Sequence, residues 1–252
     1  MSASSDSKSA LAGRVALVTG AARRIGAAIV RGLHAQGADV CIHCHRSVQA
    51  GQRLAAELNA ERANSATVIE ADILDGSAPA RIVKATVDAF GRLDLLVNNA
   101  STFYPTPVGE ITPAHWDDLM GTNLRAPLFL SQEAAPHLRK TQGLIVNMID
   151  IHGQRPLPRY PVYSTAKAGL AMLTRSLARE LAPEIRVNGI APGPILWPDG
   201  ELEENFKKEI VSKTLLKRMG SPEDIVKAVL FFAKDATYVT GQLLAIDGGR
   251  SV

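Results

Sequence analysis

Seven short runs of β-favouring apolar residues, separated by helix-length segments, constrain this chain most. The runs are Val15–Val18, Val40–His43, Thr67–Glu70, Leu95–Asn98, Leu144–Met148, Arg186–Ile190 and Leu243–Ile246. Several are apolar almost throughout, the pattern of strands buried on both faces. The stretches between them, such as Ile25–Gln36 and Val48–Asn59, have helical length, and Gly37 is placed to stop the first of these. This order predicts βαβ units and an α/β, doubly wound parallel sheet with helices on both faces. At 252 residues with no Pro/Ser-rich linker, a single domain over residues 11–252 is expected. Residues 1–10 are polar and Ser-rich and read as a disordered tail without a secretory leader. No apolar run reaches the roughly 18 residues of a membrane span. The net charge of +3 is too small to argue for a nucleic-acid partner. Two cysteines, Cys41 and Cys44, with no leader, suggest a reducing, cytoplasmic setting without disulfides.

The first run ends in Thr19-Gly20-Ala21-Ala22-Arg23-Arg24-Ile25-Gly26, and a helix comes next. A Gly-containing strand-to-helix turn brings backbone N–H groups to a pyrophosphate at the positive end of a helix. Gly20, Arg24, Ile25 and Gly26 are therefore candidate dinucleotide contacts, with Arg24 where such turns often have glycine. An acid at the end of the second strand would hold a ribose 2′-hydroxyl and select NAD. The sequence there is His45-Arg46-Ser47, which suits a 2′-phosphate and predicts NADPH. Asp72, with Ile73 beside it, is placed for the adenine. Asn99 and Ala100 end the fourth strand, where a small residue admits the cofactor. Cys41 and Cys44 with His43 and His45 invite a metal reading. Alternation along a strand puts 41, 43 and 45 on one face and 44 on the other, so no metal is expected. The irregular region of about 192–220, with Pro194, Trp197, Pro198 and Gly200 and a helical stretch over Glu201–Lys213, is the expected substrate loop.

Tyr163 and Lys167 stand one helical turn apart. An ammonium beside a phenol is expected to lower its pKa by roughly 1–3 units, giving a usable proton donor. With the glycine turn, Asn98-Asn99-Ala100 and Pro192-Gly193, this pair makes residues 12–250 resemble the short-chain dehydrogenase/reductase family. The resemblance implies a seven-stranded Rossmann-type sheet and NAD(P)-dependent hydride transfer. It carries catalytic roles to Tyr163 and Lys167, a nicotinamide-ribose contact to Lys167, a proton-relay water held by Asn123, and a cofactor loop to Pro192 and Gly193. The family's catalytic Ser, about 13 residues before the Tyr, is here Asp150. An ionised carboxylate cannot donate to a ketone oxygen. A protonated one could assist proton delivery to an imine nitrogen, so C=N reduction, faster at mildly acidic pH, is expected.

Asp150 is shared with a narrower group, the pteridine reductases. The chain resembles them at residues 19–26, at His45-Arg46-Ser47, at Asn98 to Pro107, at Asn147 to Asp150 and at Tyr163 to Lys167. The resemblance gives Ser101 contacts to cofactor phosphate and pterin, and makes Phe103 one wall of a stacking slot. Asp150, Tyr163, Ser101 and Phe103 thus form the expected pterin site. The implied reaction is NADPH-dependent reduction of dihydropterins, with oxidised pterins or dihydrofolate as further substrates. A homotetramer is also implied, with helices near Trp116–Leu138 and Ala166–Leu181 as contact surfaces. The protozoan members continue past the Asp-Gly-Gly segment. Here Arg250 and Val252 end the sequence, so no cross-subunit role is given to Arg250, and the Trp197 loop has no clear counterpart. Alternatives are a dihydromonapterin-type reductase, a ketone or sugar reductase, and a non-catalytic NADP-binding sensor.

Overall fold

The computed structural model describes residues 9–197 and 203–252. Its strands are β1 (Val15–Val18), β2 (Asp39–Cys44), β3 (Ala66–Glu70), β4 (Leu95–Asn98), β5 (Leu144–Met148), β6 (Arg186–Pro192) and β7 (Leu243–Ile246). They pair in parallel as one sheet in the order β3-β2-β1-β4-β5-β6-β7. The chain starts mid-sheet, builds outward to β3, then returns to β4 on the far side of β1. That reversal opens a crevice at the C-terminal ends of β1 and β4, where α/β folds bind ligands. Most of the tail, residues 1–8, lies outside the described residues, as do Pro198, Gly200 and Glu201. The helix expected from Glu201 is described over Glu204–Ser212 (α7).

Alternate strand residues feed two apolar layers, which is why the runs read as continuously hydrophobic. Ala16, Val18, Val40, Ile42 and Val146 pack with Ile29 and Leu33 of α1 (Arg24–Ala35) and Ile225 and Val229 of α8 (Pro222–Leu230). Leu17, Leu96, Ile145 and Val187 pack with Ile82 of α3 (Ala78–Phe90) and Leu130 and Leu138 of α5 (Ala126–Thr141). The other helices are α2 (Val48–Glu61), α4 (Pro113–Met120) and α6 (Pro161–Glu180). Thr112 caps α4 by accepting from the N–H of His115, and Pro113 fills its first turn. Between α4 and α5 lies a wide π-helical turn, Gly121–Arg125, which carries the fully buried Asn123. No described helix is long and apolar enough to cross a membrane.

At the N-terminal edge of the sheet, Asp94 accepts the N–H of Val15 at 2.9 Å and two guanidinium bonds from Arg92. Arg14 and Arg186 donate to the carbonyls of Ala233, Phe232 and Ala236, past the end of α8. A cavity of about 510 Å³ opens between them.

Candidate active site

At the end of β1 the chain must turn sharply beneath β4. Gly20 does so with φ +59°, and a Cβ there would lie 2.8 Å from the Cα of Ala100. Gly26 lets α1 settle on the turn: a Cβ would lie 2.5 Å from the carbonyl oxygen of Gly20 and 2.7 Å from Nδ2 of Asn99. Asn99 holds the turn by donating to the carbonyls of Thr19 and Gly20. Arg24 has φ +54°, the left-handed backbone a glycine adopts without penalty. Its guanidinium donates to the carbonyl of Trp197 at 2.8 Å, tying the turn to the segment after β6.

From this turn runs a groove of about 800 Å³. Its walls include Gly20, Arg24, Ile25 and Gly26 from the turn, and His45, Arg46 and Ser47 after β2. Asp72 and Ile73 come after β3, and Asn99, Ala100 and Ser101 after β4. These expected cofactor residues come together. The donor set after β2, an imidazole, a guanidinium and a hydroxyl with no carboxylate in that tripeptide, fits a phosphate-bearing ribose. Asp72 uses Oδ1 to accept the N–H of Leu74 and stands 3.9 Å from Nδ1 of His45. Beneath the groove His43 is buried, and burial pushes its pKa down to about 4. Cys41 lies in an apolar layer, and burial raises its thiol to about 12, while Cys44 sits beside Gly51. Among the described residues no group of His, Cys, Asp and Glu is arranged to hold a metal.

The second cluster forms where β5 meets α6. Asp150 lies just past β5 in extended conformation. Its Oδ1 accepts the N–H of His152 and its Oδ2 accepts the phenol O–H of Tyr163, both at 2.8 Å. One turn along α6, the buried Lys167 donates Nζ to the carbonyl of Met148 at 2.9 Å and lies 5.6 Å from the centre of the Tyr163 ring. Burial lowers the Lys167 ammonium to about 8, against the opposing pull of Asp150. The expectation for Tyr163 is overturned. Its phenol is pushed well above the usual value, first by burial, then by the charge and hydrogen bond of Asp150, with Ser101 acting in the other direction. The carboxylate receives the O–H directly, whereas the ammonium is committed to a carbonyl.

Ser101 donates to Oδ1 of Asn123 at 2.6 Å, and Nδ2 of Asn123 donates to the carbonyls of Thr102 and Leu119. Asn123 therefore fastens the Ser101 segment to the helix. Pro192 and Gly193 are not among the groove-lining residues. Pro192 ends β6; Gly193 just past it donates to the carbonyl of Ile246, and a Cβ on it would lie 2.6 Å from Cβ of Asp247.

Residues 20–251 match the family model described as enoyl-(acyl carrier protein) reductase. The chain belongs to the short-chain dehydrogenase/reductase family. It is a nicotinamide-dependent oxidoreductase. It is 40% identical to pteridine reductase 1 of Leishmania tarentolae, over 94% of this chain and 96% of that protein. It is 35% identical to a 3-oxoacyl-(acyl-carrier-protein) reductase of Staphylococcus aureus, over 93% of this chain and 96% of that one.

In this short-chain reductase, aromatic rings pack against the Tyr163 cluster. Phe103 is 48% exposed and stacks on Tyr160, with centroids 4.6 Å apart and planes 13° from parallel. It meets Tyr163 at 4.8 Å, with planes 76° apart. Tyr160 was not an expected site residue. Its signal was its place three residues before Tyr163, at the helix entrance. Tyr104 is a second addition: it lines the groove and donates to Asp118 at 2.8 Å, and burial with that carboxylate raises its pKa to about 12.

Proposed function

We propose that the protein is an NADPH-dependent pteridine reductase that converts dihydropterins to tetrahydropterins. The observation that carries this reading is the 2.8 Å bond between Tyr163 and Asp150. It sets a carboxylate, rather than a hydroxyl donor, beside the proton-bearing phenol. A ketone oxygen would face an acceptor there and gain nothing from it. An imine nitrogen needs a proton, and Tyr163 with Asp150 supplies a two-member path for one. Lys167 holds positive charge below that path. Phe103 offers a flat apolar face for a heterocycle, as it already does for Tyr160. The cofactor, when bound, supplies the hydride, and residues 20–26, 45–47, 72–73 and 99–101 would hold it, with Arg46, His45 and Ser47 facing the 2′-phosphate. The 40% identity to a pteridine reductase supports the same substrate class. The 35% identity to a 3-oxoacyl reductase makes a ketone-reducing activity the rival.

Residues 11–252 are proposed to act as one catalytic domain, with residues 192–220 as its substrate loop. We also propose a cytoplasmic location and, since Trp116, Phe129 and Met172 expose apolar surface on α4, α5 and α6, a homotetrameric assembly.

Turnover with NADPH and dihydrobiopterin, set beside dihydrofolate, a 3-oxoacyl thioester and a ketone panel, tests the reading. Pterin reduction should dominate, and Asp150→Asn should slow it. Faster thioester reduction would replace the reading with its rival. Equal use of NADH and NADPH would refute the phosphate assignment. Arg46→Asp should erode the NADPH preference at least tenfold, since charge-assisted phosphate bonds contribute about 1.5–3 kcal/mol each.

A further inference from the structure

We propose that His43 is a positioning residue for the cofactor groove, a neutral imidazole strut that joins its phosphate-side turn to its adenine-side wall. The ring is 2% exposed, so it acts through its neighbours. Gly20 donates its N–H to Nδ1 at 3.3 Å, while Nε2 faces the carbonyl of Ala71 at 3.1 Å. The His43 carbonyl accepts the N–H of Ala21 at 2.9 Å. A backbone donor on one nitrogen and a backbone acceptor on the other leave one tautomer, with the proton on Nε2. Both connections have consequences for the groove. The amides of Gly20 and Ala21 are turned inward, so the amides offered to a phosphate are those opening α1, which have no intrahelical partner. Ala71 immediately precedes Asp72 and Ile73, so the ring also fixes the opposite wall. Neither Cys41 nor Cys44 takes part.

The inference rests on the dinucleotide reading of the groove, and its test separates the two. Dissociation constants for NADPH and NADH are measured by fluorescence titration of the unmodified protein, His43→Leu and His43→Gln. Leucine leaves a buried donor and a buried acceptor unpaired, and should weaken both nucleotides about tenfold while preserving their ratio. Glutamine offers an acceptor oxygen and a donor nitrogen, and should recover most of the loss. The kcat at saturating NADPH should stay within about twofold of the unmodified value. Unchanged NADPH affinity in the leucine variant, or no recovery with glutamine, overturns the proposal. Should the leucine variant fail to fold, nitrogen NMR of the unmodified protein decides. The ring should hold its proton on Nε2 from about pH 5.5 to about pH 8. A proton on Nδ1, or titration near the ordinary histidine value, overturns the strut. If the unmodified protein binds neither nucleotide, the groove reading itself fails.

Discussion

The two edges of the sheet both carry a cavity and both gather charged side chains, yet they use that charge differently. At the N-terminal edge, around about 510 Å³, Arg92 and Asp94 lock together and Asp94 also holds Val15. Arg14 and Arg186 cap carbonyls at the negative end of the last helical segment. At the C-terminal edge a phenol, a carboxylate and an ammonium converge. Tyr163 donates to Asp150, and buried Lys167 is lowered to about 8. The larger space, about 800 Å³, lies at the C-terminal edge. What distinguishes the edge proposed as catalytic is that its protons are held by groups able to pass them on.

The largest effect should come from Tyr163→Phe. Losing only the hydroxyl, it should lower turnover about 10²–10⁴-fold, the usual contribution of a positioned acid, with NADPH still bound. Steady-state rates alongside nucleotide titration check both halves, and retention of most activity would move the proton donor elsewhere. Phe103→Ala comes next. Loss of stacking should weaken pterin binding by about 1–3 kcal/mol and leave NADPH affinity unchanged, read from separate titrations of the two ligands. An unaltered pterin affinity would remove Phe103 from the substrate wall. Smaller again is the pH effect. Lys167 is an ammonium below about pH 8 and is neutral above it. Where that charge supports proton transfer, kcat should fall toward tenfold per unit above pH 8. A profile level to about pH 9.5 would detach Lys167 from the proton path. Smallest on rate, and the control for the whole contrast, is Arg186→Gln. Denaturant melts should register a loss of about 1–3 kcal/mol as carbonyls lose their donor, with kcat unchanged. A large fall in kcat would mean that the two edges are coupled.

Most of the fold was legible because strands buried on both faces leave uninterrupted apolar runs. Val15–Val18 and Leu144–Met148 are strands with the bounds their composition suggests. The glycine turn was legible for a related reason, since close backbone approach at Gly20 and Gly26 excludes other side chains. The groups of the candidate site were legible as residue types in a spacing, but their mutual influence was not. Lys167 is Tyr163's neighbour along the helix, and spacing alone suggested that it controls the phenol. Burial, together with Asp150 reaching the phenol at 2.8 Å from the segment after β5, moves the pKa the opposite way. The stack of Tyr160 and the strut formed by His43 depend on three-dimensional contacts that no local pattern reports. Arg24 was placed correctly in the glycine position, but its reach to Trp197 spans a sequence separation that local reading cannot bridge.

The wide turn at Gly121–Arg125 holds one residue more than an α-helical turn. An α-helical residue advances about 100°, so sequence spacings after this turn run one position out of step with those before it. This offset lets Asn123 reach Ser101 while Leu130 and Leu138, further along, stay in the apolar layer. For anyone shortening or grafting this helix, the turn acts as a clutch: spacings on one side cannot be carried across to the other.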